Sequence, residues 1–218
     1  MKSNHIFSTL LALLFFAAGQ AFAVNIMANG SFETGNFHNT AFNYDQLPVN
    51  STDLTGWTVI QNSVAWGVNP TDGFTASDGV AFVDLTGLST ESPYGGLRQT
   101  LNTTVGKQYL FSLDVSNSGA TETVTVDGSP IQLSAGSSFV RGSTLWTTET
   151  GSFTARGPQT VLDIIGTGSA GSFNLFVDNV SATTAVPEPA TWLLLTTGLP
   201  ILLGYRRKRG RSHFLGEP

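Results

Sequence analysis

Tyr109-Leu110-Phe111-Ser112-Leu113-Asp114-Val115 decides the fold of this chain. Tyr109, Phe111, Leu113 and Val115 fall at every second position, with Leu110, Ser112 and Asp114 between them. Side chains on an extended strand point alternately to opposite faces, so this period puts the four large apolar groups on one face. Downstream, 123–126 and 129–133 are short strand candidates around Asp127-Gly128, a dipeptide suited to a tight hairpin. Further runs of β-branched and aromatic residues lie at 146–153, 161–165 and 173–180, and upstream at 57–60, 64–66, 80–85 and 97–101. Gly, Ser, Thr and Asn punctuate them, and no stretch of 24–185 carries a helical period. Many short strands at such spacing predict an all-β sandwich or barrel. The stretch 33–55, poor in strand pattern, reads as a long loop of the kind that often carries function.

Both ends of the chain read differently. Lys2 precedes an apolar stretch over 6–18, and Ala21-Phe22-Ala23 offers small residues for cleavage at Ala21 and Ala23. This predicts a secretory signal peptide over 1–23. At the other end Pro187-Glu188-Pro189 breaks any preceding element, because proline neither continues a helix nor donates to a sheet. Residues 190–205 carry no charge. As a helix they span roughly 24 Å, short of the ~30 Å hydrocarbon core, a deficit that snorkelling arginines and local thinning relieve. Arg206, Arg207, Lys208 and Arg209 follow as a basic stop that favours the cytoplasmic side. Pro200 interrupts the apolar run, and 212–218 form a short tail. A plain C-terminal anchor or a buried helix is the alternative reading.

Composition narrows the chemistry of the part between, 24–185. Its basic residues are Arg98, Lys107, Arg141 and Arg156, against thirteen acids, a net charge of −9 that the chain-wide −5 conceals. Such a domain disfavours nucleic acid and anionic lipid as partners and tolerates neutral sugars or cations. Cysteine is absent, which removes disulfides, thiol catalysis and Cys-ligated zinc. The only histidine there is His38, so multi-histidine zinc sites are excluded, and no Gly-x-Ser-x-Gly elbow surrounds a serine. The chain is therefore not expected to be an enzyme. Carboxylate pairs able to cleave a glycoside are guaranteed by thirteen acids and carry little signal. Sugar binding asks for exposed aromatic faces with polar neighbours. Trp66 and Tyr94, with Arg98 close by, are the ligand-binding candidates. Trp66 also alternates with Val64, so a place in the core is the competing reading; Trp57 and Trp146 sit in strand patterns and read as core.

Two resemblances add to this. The Pro187-Glu188-Pro189 box, the apolar run and the Arg206, Arg207, Lys208, Arg209 cluster resemble a PEP-CTERM sorting signal, assigned to 186–211. That resemblance implies export, transient anchoring in the inner membrane, processing by an exosortase-type membrane protease, and delivery to the cell surface or an extracellular polysaccharide. Asn29-Gly-Ser-Phe-Glu33, Gly56-Trp57-Thr58-Val59, Asp78-Gly79-Val80-Ala81-Phe82-Val83-Asp84-Leu85, Leu97-Arg98-Gln99-Thr100-Leu101, Gly106-Lys107-Gln108-Tyr109 and Phe176-Val177-Asp178-Asn179-Val180 occur in an order similar to galactose-binding-like jelly rolls. Choice-of-anchor proteins and carbohydrate-binding modules share that fold. It implies a jelly-roll β-sandwich over 24–185 and a structural Ca2+ between Glu33 and Asp178, helped by backbone carbonyls near Asn29 and Ser31. The competing reading is a surface Glu33 and an Asp178 that accepts backbone hydrogen bonds. The function implied is a non-catalytic, structural or adhesive surface protein. The alternatives are a carbohydrate-binding module with a defined glycan, or a small glycan-active enzyme.

Overall fold

The computed structural model describes residues 23–38, 43–89, 92–168, 171 and 173–185. All belong to one compact unit, Ala23–Ala185. The signal peptide expected over 1–23, of which only Ala23 is described, and the tail from 186 onward lie outside these residues. Among the described residues no helix is long and apolar enough to cross a membrane.

Twelve strands are described: β1 (Tyr44–Leu47), β2 (Thr58–Gln61), β3 (Val64–Val68), β4 (Ala81–Asp84), β5 (Gly96–Asn102), β6 (Gln108–Ser118), β7 (Thr121–Val126), β8 (Ser129–Pro130), β9 (Ser134–Arg141), β10 (Thr144–Thr154), β11 (Gln159–Thr167) and β12 (Phe173–Thr184). They form a seven-stranded sheet in the order β1-β3-β4-β12-β6-β10-β9 and a five-stranded sheet in the order β2-β5-β11-β7-β8. The pairings are antiparallel.

The alternation in β6 works as its sequence implies. Tyr109, Phe111, Leu113 and Val115 are buried, and they pack in one cluster with Leu97, Leu101, Val124, Leu162 and Ile164 of the other sheet. Two sheets that each bury one apolar face against the other make a β-sandwich. Removing that surface from water is the main force holding them, at roughly 25 cal/mol per Å². Trp57 is also core, donating its indole N–H to the Asn29 carbonyl at 3.0 Å.

The Asn29-Gly30-Ser31-Phe32-Glu33 stretch is a turn laid against β12. Asn29 and Phe32 adopt left-handed backbone angles, φ 50° and 58°. The Asn29 side chain supports the turn, accepting from the Thr34 N–H and donating to the Thr34 and Thr55 carbonyls. Gly30 admits no side chain, because a Cβ there would stand 1.9 Å from the Val180 carbonyl oxygen. The Gly30 carbonyl accepts from Val180 N–H at 2.9 Å, which fastens the motif to the last strand.

Three details differ from the expectation. The supposed loop 33–55 contains β1, an edge strand paired with β3. The strand expected over 129–133 shrinks to β8, two residues long. The strand β9 follows it, in a stretch whose Ser-Ala-Gly-Ser-Ser opening reads as loop. Seven of its eight residues are exposed. It is held by backbone pairing with β10 and a few polar side-chain contacts, so no hydrophobic period marks it.

A second, smaller apolar cluster lies on the outer face of the seven-stranded sheet. Phe82, Trp146 and Phe176 pack there with Ala76, and Phe74 leans on them. The strand neighbours of Phe82 and Phe176, namely Ala81, Val83, Leu175 and Val177, belong to the inner core instead. The 69–80 connection therefore lies over the outer face like a strap.

Candidate functional site

Beside this strap the outer face of the seven-stranded sheet opens into a groove of about 560 Å³. Its floor follows from the strand register. Ser181 of β12 stands opposite Ser112 of β6, Ser112 opposite Thr150 of β10, and Thr150 opposite Ser134 of β9. Four hydroxyls thus form one row across four strands. In the next row Thr183, Leu110 and Ser152 stand side by side. Gln132 completes the polar lining. These are the outward positions of the strand whose inward positions form the core, and period-2 geometry separates the two roles. Leu110 is 51% exposed and offers the one large apolar surface among these rows. Ser112 Oγ and Ser181 Oγ hydrogen-bond to each other at 2.8 Å. Among the described residues no ionisable side chain lines the groove.

A buried polar cluster lies between groove and strap. Asp114 of β6 and Asp178 of β12 are cross-strand partners, 2% and 0% exposed. Asp114 accepts hydrogen bonds from the Ser77 hydroxyl at 2.7 Å, the Thr148 hydroxyl at 2.6 Å and the Asn179 amide at 3.1 Å. Asp178 accepts from the backbone N–H of Asp78 at 2.8 Å and of Asn179 at 2.6 Å, with the Ser77 hydroxyl at 3.1 Å. Burial outweighs these bonds and pushes the Asp178 carboxyl up to about 7. The Glu33 carboxylate grips the same connection from outside, accepting from Val80 and Ala81 N–H at 2.8 Å each. Arg141 closes the clamp, its guanidinium donating to the Ser77 and Gly79 carbonyls.

Glu33 and Asp178 are therefore brought to one segment, 78–81, as the calcium reading requires. Their described contacts, however, are to N–H and O–H donors, and two carbonyls of the segment already face a guanidinium. Among the described residues no group of three or more His, Cys, Asp and Glu side chains is placed to hold a metal. As arranged, these residues form a hydrogen-bonded clamp and do not fit a calcium shell, which needs six to eight converging oxygens.

The three ligand-binding candidates do not assemble. Trp66 is buried beneath Phe37 in an edge-to-face contact and donates its indole N–H to the Phe32 carbonyl at 3.0 Å. Tyr94 is 0% exposed. Neither ring presents a face to solvent, which corrects the expectation of a stacking platform. Arg98 lies in the five-stranded sheet and makes a two-pronged pair with Asp163, both bonds 2.7 Å. His38 meets Asp45 Oδ2 at 3.0 Å and Asn36 at 2.8 Å; among the described residues no serine hydroxyl bonds to it. The groove rows carry no aromatic ring, so they lie outside the loop aromatics on which sugar contacts are expected. Their signal was the alternate set of the deciding stretch itself: Leu110 and Ser112.

Among solved structures the chain is similar to the EclA C-terminal domain, described as a sugar-binding protein, with 22% identity and a TM-score of 0.32. That match covers 39% of this chain and 64% of the other, so the chain spans under two thirds of that relative's length. It is also similar to the CBM22-1 xylan-binding domain of Paenibacillus barcinonensis Xyn10C, at 16% identity, TM-score 0.43 and coverage of 66% and 94%. TmCBM61 in complex with β-1,4-galactotriose matches at 16% identity, TM-score 0.42 and coverage of 74% and 99%. No curated protein matches. A family model described as "Protein of unknown function (DUF642)" matches residues 25–181, most of the chain and nearly all of its β-sandwich. This chain belongs to the DUF642 family.

Proposed function

We propose that this protein is an exported, non-catalytic surface protein whose β-sandwich holds a polysaccharide chain in the groove on its outer face. The observation that carries this reading is the pair of in-register rows, Ser181-Ser112-Thr150-Ser134 and Thr183-Leu110-Ser152. Each strand step is roughly 4.8 Å, so the rows repeat at about the length of one sugar unit. Hydroxyls both donate and accept, which suits a polyhydroxylated ligand, and Leu110 suits the apolar face of a sugar ring. A lining with no carboxyl, imidazole or amine favours holding a glycan over cleaving it.

Export and sorting rest on the sequence pattern at the two ends. In this reading an exosortase-type protease acts at Pro187-Glu188-Pro189 while residues 190–205 sit in the inner membrane, and the β-sandwich is then delivered to the extracellular matrix.

The groove reading is tested by electrophoresis of the purified chain through gels containing a panel of soluble polysaccharides. Wild-type protein is expected to be retarded by at least one of them. The double variant Ser112→Leu, Thr150→Leu, which removes two hydrogen-bonding groups and narrows the floor, should lose about tenfold in affinity at unchanged melting temperature. Equal retardation of both proteins would place any glycan elsewhere.

A further inference from the structure

The groove does not end at β10. Pairing between β10 and β9 ends at Thr150 with Ser134; beyond it the 131–133 connection passes beside Gly151, and the Thr183-Leu110-Ser152 row ends at Ser152. A second hollow, of about 310 Å³, begins there and shares Ser152 with the groove. It lies between the end of β10 and the β7–β8 hairpin, lined by Asp127, Ser129, Pro130, Thr154 and Arg156 among others.

Arg156 distinguishes this hollow from the uncharged groove. Of the four basic residues in 24–185, Arg98 is spent on Asp163 and Arg141 on the 77–79 carbonyls. Lys107 lines neither hollow. Arg156 is exposed and, among the described residues, makes no ion pair. The Asp127 carboxylate in the same hollow accepts the Val161 N–H at 2.9 Å. A guanidinium free at the end of a sugar groove offers the two parallel N–H donors that a carboxylate matches.

We infer that this hollow is a subsite for a carboxylated sugar, so that the protein selects a mainly neutral glycan carrying occasional uronic acid units. The inference rests on the groove reading and names its ligand class. The sparse charge follows from the rest of the domain. A net charge of −9 repels a polyanion, whereas a single acidic unit at Arg156 is met locally, within the ~8–10 Å over which salt leaves charges visible to each other.

The test uses the full chain and immobilised heteropolysaccharides with scattered glucuronate units. Each is set beside its carboxyl-reduced form, and polygalacturonate serves as the polyanion. The native acidic glycan should bind about tenfold more tightly than its reduced form. Arg156→Gln should erase that difference while leaving binding to the reduced form unchanged, and polygalacturonate should bind weakest. Equal binding of native and reduced glycans by wild type, or a preference that survives Arg156→Gln, would overturn the subsite and leave the groove standing. Failure to bind any member, or binding of the reduced form unaffected by Ser112→Leu, Thr150→Leu, would overturn the groove and the subsite with it.

Discussion

Asp178 shows how one residue reports on the whole outer face. Its carboxyl is fully buried between strap and sheet, and burial raises it from 3.8 to about 7. A group that binds its proton more tightly in the folded state stabilises the fold most at low pH. That contribution is complete below about 3.8 and is lost as pH rises through about 7. Glu122 has the same sign, raised from 4.5 to about 7 by burial and by the neighbouring Glu149 carboxyl. The melting temperature should therefore fall as pH rises from 4 toward 7 and beyond, where the usual loss of carboxylate pairing predicts the reverse. Asp178→Asn should flatten the profile. Calorimetry across that range checks both, and a melting temperature that climbs steadily toward pH 7 in wild type would contradict the assignment.

At the scale of elements, β6 and β10 do two jobs and β9 does one. Inward residues of β6 make the core, outward residues make the groove, and Trp146 of β10 anchors the strap by donating to the Thr75 carbonyl at 2.9 Å. Trp146→Ala should cost about 3–5 kcal/mol, since it empties a fully buried site. On β9, Val140 is 67% exposed, and Val140→Thr should change stability by less than about 0.5 kcal/mol. Urea denaturation midpoints separate the two. The same contrast explains what was legible in the sequence. Strands that bury one face, such as β6 and β11, write a period of two. The strand β9 buries none of its apolar side chains, and β1 is four residues of an edge, so neither leaves a mark. Site residues were harder. Trp66 and Tyr94 looked like sugar platforms because rings are conspicuous, but rings of that size in a β-sandwich are also its best core material. Arg141 is not legible as a clamp in the sequence, because its partners are backbone carbonyls, which have no sequence signature.

At the scale of the molecule, three features converge on one use. The β-sandwich is acidic and free of cysteine, its polar groove is uncharged among the described residues, and the proposed export and sorting segments flank it in sequence. If sorting follows the Pro187-Glu188-Pro189 box, intact mass of the protein from its host should show a species that begins near Val24 and ends near Pro187–Ala190, recovered outside the cell. A full-length species retaining Arg206 in the inner membrane would instead make the tail a permanent anchor. The most direct measurement of the central claim is a heteronuclear NMR titration of the chain with an oligosaccharide from a polysaccharide that retards it. Amide shifts should cluster at 110–112, 150–152 and 181–183, with 132 and 134 beside them. Shifts gathered on the five-stranded sheet or on the β1–β3 edge, with the groove amides unmoved, would contradict it.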